Sequence, residues 1–228
     1  LIVNNINSSI SSVLLPSLSV YQDNRPQMKK FMRRAISTSS FLITPMMAGL
    51  AVLAHPLIQI LLGEAWLPCV PFVQACCFTY AFYPIHTTNL TAINAVGRSD
   101  LFLKLEIIKS SYGLAILIVF FLYFRTPIGI AYGAMCSAVI SSVVNAFPNK
   151  KQIDYGYLEQ IRDIMPSIVL SAFMVLGMHL FAKITMPLIL SFVLQIILGI
   201  ILYLGLAKIF HVESLNYAIK TLKELKKK

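Results

Sequence analysis

Six apolar runs, each long enough to cross a lipid bilayer, dominate this chain, and the loops between them alternate between strongly basic and nearly uncharged. They cover Ser37 to Leu62, Val70 to Val96, Leu101 to Phe124, Ile128 to Phe147, Ile164 to Ile184 and Pro187 to Ile209. A hydrocarbon core of about 30 Å is spanned by about 20 largely apolar helical residues. Lipid offers the backbone no hydrogen-bond partners, so uninterrupted runs of this length satisfy their own N–H and C=O groups as helices rather than as barrel strands. A length of 228 residues would suit two soluble domains, but 57% hydrophobic and only 12% charged residues exclude that class. The fold class is an all-α polytopic membrane protein.

Ahead of these six full transmembrane helices, Leu1 to Val20 is apolar but flecked with polar residues. It has no initiator methionine, signal-peptide n-region or cleavage site, and reads as the remnant of a helix whose beginning is missing. Residues 1–150 then comprise this partial helix (1–20), a basic loop or short helix (21–34) and four spans. Residues 151–228 comprise an amphipathic linker, two further spans and a basic tail. Pro45 lies inside the first span, where it kinks a helix whose neighbours satisfy the freed backbone group. Trp66, just past Gly63, suits an interfacial anchor.

The basic residues set the orientation. Arg25, Lys29, Lys30, Arg33, Arg34, Arg98, Lys104, Lys109, Lys150, Lys151, Arg162, Lys208, Lys220, Lys223, Lys226, Lys227 and Lys228 fall on one side; only Arg125 and Lys183 fall on the other. The first group belongs in the cytoplasm with the C-terminus, and the net charge of +10 calls for no nucleic acid. Ile153, Tyr157, Ile161 and Ile164, and again Leu215, Ile219, Leu222 and Leu225, recur at helical spacing beside these charges, as surface helices in the headgroup plane do. Cys69, Cys76, Cys77 and Cys136 form no CxxC pair, and no histidine stands at metal-ligand spacing, so no metal and no cofactor is implied.

Polar side chains at membrane depth are costly and turn toward a bundle interior or a wet cavity. Asn4, Asn7, Ser8 and Ser11 form one such stripe, either lining a cavity or hydrogen-bonding between helices. A second runs through Tyr80, Tyr83, Thr87, Thr91 and Asn94, with His86 and Asn89 on an adjacent face. Rings and hydroxyls together suit a sugar in a wet cavity, and would suit a drug as well. Gly129, Gly133, Ser137, Ser141 and Asn145 make a ridge of small residues that lets another helix approach closely. Glu106 and Lys109, three apart near the start of their span, form either a local ion pair or a buried cation for an anionic substrate.

Taken in order, Pro16-Ser17-Leu18-Ser19, Gln22-Asp23 with the basic stretch after it, Pro45, His55-Pro56-Leu57-Ile58, Leu62-Gly63-Glu64-Ala65-Trp66, Ala95-Val96-Gly97-Arg98-Ser99-Asp100 and Leu103 to Lys109 resemble the C-terminal half of bacterial polysaccharide flippases. These are the O-antigen and capsule transporters of the multidrug, oligosaccharidyl-lipid and polysaccharide exporter superfamily. The resemblance is densest from Leu14 to Lys109. It implies a two-lobe MATE-like helical bundle around a central cavity, of which this chain holds the C-terminal lobe, inactive by itself. It also implies a substrate, undecaprenyl-diphosphate-linked oligosaccharide, moved across the plasma membrane by alternating access. The implied partners are membrane lipid, polysaccharide assembly proteins and a coupling proton or sodium ion; no bond is made or broken. Arg98, Lys104 and Lys109 would then meet the diphosphate near the cytoplasmic mouth, although topology alone explains the same charges. A cation antiporter of the same superfamily would need a membrane-embedded carboxylate, and a membrane-embedded polymerase would need room outside the bilayer that the short loops at Arg125 to Pro127 and Lys183 to Pro187 do not leave.

Overall fold

In a computed structural model that describes residues 12, 14–22, 24–215 and 217, the described residues fold as helices with short connections. The helices are α1 (Arg25–Leu62), α2 (Val70–Ala81), α3 (Tyr83–Ala95), α4 (Ser99–Phe124), α5 (Pro127–Ile153), α6 (Tyr157–Phe181) and α7 (Leu188–Ile209), with a 3₁₀ turn at Glu64–Cys69. Counting that turn, α2 and α3 as one passage, six segments are long and apolar enough to cross a membrane. The protein is therefore an all-α polytopic membrane protein, as its hydropathy required.

The basic stretch before the first span is not a loop. It forms the opening turns of the 38-residue α1, for two local reasons. The Asn24 side chain accepts a hydrogen bond from the Gln27 N–H at 3.2 Å, and Pro26 lies in the first turn, where a missing N–H costs nothing. Met28, Met32 and Ile36 then repeat every fourth residue and are fully buried against Ile85, Ala92, Ile153 and Tyr155. One face of the basic segment is thus core, and the cations project from the other.

Pro45 has no N–H to give to the Phe41 carbonyl one turn earlier, which leaves a buried acceptor inside α1. The Tyr203 hydroxyl of α7 donates to that carbonyl at 2.7 Å, with the Phe41 and Tyr203 rings 5.1 Å apart. Leu170, Met174 and Met178 of α6 and Ala207 of α7 close the same core cluster. Replacing Tyr203 with phenylalanine keeps the ring but orphans the carbonyl. Thermal unfolding in detergent should register a loss of about 1 kcal/mol, and an unchanged melting curve would show that Phe41 finds another donor.

Two of the sequence-based expectations about helix continuity need correction. The run Val70 to Val96 is broken at Phe82, because Pro84 cannot donate to the Tyr80 carbonyl; α2 ends at Ala81 and α3 begins at Tyr83. Nor do Ile153, Tyr157, Ile161 and Ile164 share one surface helix. Asp154 takes a left-handed conformation at φ 56° and ends α5, and α6 starts at Tyr157 after a three-residue turn. Ile153 and Ile164 are buried on opposite sides of that turn. In the second amphipathic stretch Leu215 is described, while Ile219, Leu222 and Leu225 lie outside the described residues.

Candidate functional site

Helix α5 stands between α4 on one side and α2 and α3 on the other, and its small residues decide how near each can come. At Gly129 an added methyl would lie 2.8 Å from the Phe120 carbonyl oxygen and 2.8 Å from the Phe124 Cβ; at Gly133 it would lie 3.3 Å from Leu117 and Phe120 side-chain atoms. The glycines thus hold α4 close. One and two turns further on, Ser137 and Ser141 face a cavity of about 260 Å³ that Tyr80, Tyr83 and His86 also line. Tyr80 and Tyr83 meet edge to face across the helix break, with ring centroids 5.9 Å apart. The Tyr112 and Ser141 hydroxyls are 2.6 Å apart beside it.

His86 links this cavity to a buried cluster of amides, its Nδ1 lying 3.2 Å from the Asn145 Nδ2. One turn along each helix, Asn89, Asn149 and Gln160 are fully buried. Asn89 and Gln160 exchange two hydrogen bonds, at 2.8 and 2.9 Å, and the Asn149 amide donates to the Asn89 Oδ1 at 2.7 Å. The Gln160 amide also points to the Tyr155 carbonyl at 3.4 Å. Three helices, α3, α5 and α6, are tied at one point. The Oδ1 atoms of Asn145 and Asn149 have no hydrogen-bond partner among the described residues.

Charged pairs lie beside this cluster, at the turn between α5 and α6 and the start of α1. Tyr155, itself buried, donates to Asp163 at 2.7 Å, and Arg33 binds both oxygens of Asp163 at 2.8 and 2.5 Å. Burial pushes the Tyr155 phenol well above its ordinary value, and the bond to Asp163 raises it further, so the phenol remains a donor. Lys29 reaches the Asp154 carbonyl at 2.5 Å and the Glu159 carboxylate at 2.8 Å.

The candidate residues read from the sequence are not gathered into one place. Tyr80 and Tyr83 face the small cavity. Thr87 and Thr91 give their hydroxyls to the carbonyls one turn back in their own helix, Tyr83 at 3.1 Å and Thr87 at 2.8 Å, and Asn94 is exposed at the helix end. Arg98 is exposed and pairs with Asp100 at 2.9 and 3.0 Å. Lys109 pairs with Glu106 on the same helix. Asn4, Asn7, Ser8 and Ser11 lie outside the described residues. Asn149, Tyr155 and Gln160 escaped the sequence reading. Asn145 and Asn149 at i,i+4 near a helix end, with no aqueous loop to serve, were the available signal.

Helices of this length, with polar groups collected between them and short connections outside, define a multi-pass membrane protein. Over 92% of the chain the fold matches Lipid II flippase MurJ in its inward closed conformation, with a TM-score of 0.75 and 22% identity, covering 44% of that protein. Residues 1–71 match the family described as Polysaccharide biosynthesis protein. Over 141 residues, 62% of the chain, the sequence is 26% identical to an uncharacterized membrane protein in the cps region of Klebsiella pneumoniae. It is 20% identical over 142 residues to the Lipopolysaccharide biosynthesis protein WzxC of Escherichia coli K12. These matches span 28% and 29% of the two relatives' lengths. The chain is thus similar, over its first 71 residues and over a stretch of about 140, to proteins named for polysaccharide and lipopolysaccharide biosynthesis, and it shares its fold with a lipid II flippase.

Proposed function

We propose that this chain forms one lobe of a flippase that moves polyprenyl-diphosphate-linked oligosaccharide across the plasma membrane for lipopolysaccharide, capsule or exopolysaccharide assembly. Residues 1–150 belong to the transporting lobe and residues 151–228 add two helices to it. The observation that carries this reading is the cavity lined by Tyr80, Tyr83, His86, Ser137 and Ser141 in a bundle of flippase fold. Rings offer flat apolar faces to sugars, and hydroxyls exchange hydrogen bonds with them. The lobe works by alternating access, driven by a proton or sodium gradient, and changes no covalent bond. Its basic loops and C-terminus face the cytoplasm. An antiporter coupled through a free intramembrane carboxylate is not favoured, because Glu106 is paired with Lys109 and Asp163 with Arg33.

The test is complementation of a strain lacking its own flippase with the protein expressed from its native gene. Tyr80→Ala with Tyr83→Ala should lower surface polysaccharide roughly tenfold at unchanged protein abundance, since two ring contacts are lost. Wild-type export by this variant would remove the cavity from the substrate path. Labelling of a cysteine at position 30 or 151 by an impermeant reagent from outside intact cells would overturn the orientation.

A further inference from the structure

We infer that the start of α1 and the segment after α7 form a binding site for an anionic phospholipid of the membrane leaflet at the basic end, separate from the cavity lined by Tyr80 and Tyr83. The site is a cleft of about 580 Å³ into which Lys30, Arg33, Arg34, Ser37, Ser214 and Tyr217 project. Its cations fall into two kinds. Lys29 and Arg33 are already neutralised, by Glu159 and by Asp163, and those bonds fix the wall of the cleft. Lys30 and Arg34 have no carboxylate partner among the described residues, and Arg34 lies over the Tyr217 ring at 4.7 Å.

Lys30 and Arg34 are four apart on one helix, where like charges repel and destabilise the helix. A bound anion removes that cost, and the ring under Arg34 leaves the outer edge of its guanidinium free to donate. Glu213 also lines the cleft and partly offsets the two cations. At the inner end, the Ser37 and Ser214 hydroxyls lie 2.7 Å apart, leaving acceptor and donor capacity for phosphate or glycerol oxygens.

A free anion would need only this polar half. The cleft instead shares Ser37, Asp163, Glu213 and Ser214 with a groove of about 630 Å³ that is lined mainly by Met165, Pro166, Val169, Leu170, Phe210 and Val212 and also by the cation Arg162. Two cations and a pair of hydroxyls above an apolar trough match an amphiphile with a phosphate head and acyl chains. Because the groups come from α1, α6 and the segment beyond α7, an occupied site would clamp the last two helices to the lobe. The inference does not depend on what the lobe transports.

The protein from its native gene, purified in detergent, is titrated with phosphatidylglycerol, phosphatidylcholine and inorganic phosphate, with bound lipid counted by native mass spectrometry. Phosphatidylglycerol should bind saturably and phosphatidylcholine should not. Lys30→Gln with Arg34→Gln should weaken phosphatidylglycerol binding roughly tenfold or more. Glu213→Gln should strengthen it, a gain that cannot arise from misfolding. Lys150→Gln with Lys151→Gln, equally basic, exposed and outside the cleft, should leave it unchanged. Equal weakening by the Lys150 and Lys151 changes would reduce the effect to a diffuse surface field and overturn the site. So would equal binding of phosphatidylcholine, or displacement of the lipid by inorganic phosphate at matching concentration.

Discussion

Replacing Asn89 with leucine should destabilise the bundle by about 2–4 kcal/mol, the largest loss expected from a single side chain. Hydrogen bonds between membrane helices average only about 0.6 kcal/mol, so the three contacts Asn89 makes to Gln160 and Asn149 would sum to about 2 kcal/mol. The upper figure arises because both neighbours are fully buried and would keep polar atoms with no water to receive them. Leucine at both Asn89 and Gln160 removes two amides instead of stranding one. The double change should therefore cost less than the sum of the singles, by about 1 kcal/mol or more. Unfolding by steric trapping in bicelles measures all three variants. Strict additivity would mean that Asn89 and Gln160 do not share a bond.

The second expectation concerns close packing. Alanine at Gly129 places a methyl 2.8 Å from a backbone oxygen of α4, which can retreat only if the helix moves. The cost should be about 2–3 kcal/mol, at the high end of overpacking effects. Gly177 provides the internal comparison. There the added carbon meets the Leu202 Cδ1 at an even shorter 2.4 Å, but that atom is the tip of a side chain free to change rotamer. Gly177→Ala should cost under about 1 kcal/mol. If the Gly177 variant melts first, distance alone and not the kind of neighbour governs the response, and the close approach of α4 to α5 is not rigid.

These two sites differ in how far the sequence exposed them. Gly129 and Gly133 stand four apart in an apolar run, and the spacing alone marks a face where another helix can approach. Asn89 drew notice only as a polar residue beside the Tyr80 stripe, since nothing local names its partners 60 and 71 positions away. Thr87 and Thr91 show a second thing that spacing does not report. Their spacing puts them on a polar face, but a threonine in a helix can close its hydroxyl onto the carbonyl one turn back, and both do.

Hydropathy is a local sum of transfer free energies along one element, which is why residues 37–209 read from the sequence alone as six spans with basic ends. The kink partner of Pro45, the turn at Asp154 and the cleft beside Arg34 are different in kind. Each depends on which faces meet when helices cross: Tyr203 reaches the Phe41 carbonyl from 162 positions away, and Ser214 reaches Ser37 from 177. Composition and periodicity decided that the chain is a helical membrane bundle with a polar interior; only the tertiary packing decided which polar groups satisfy one another and which remain open to a ligand.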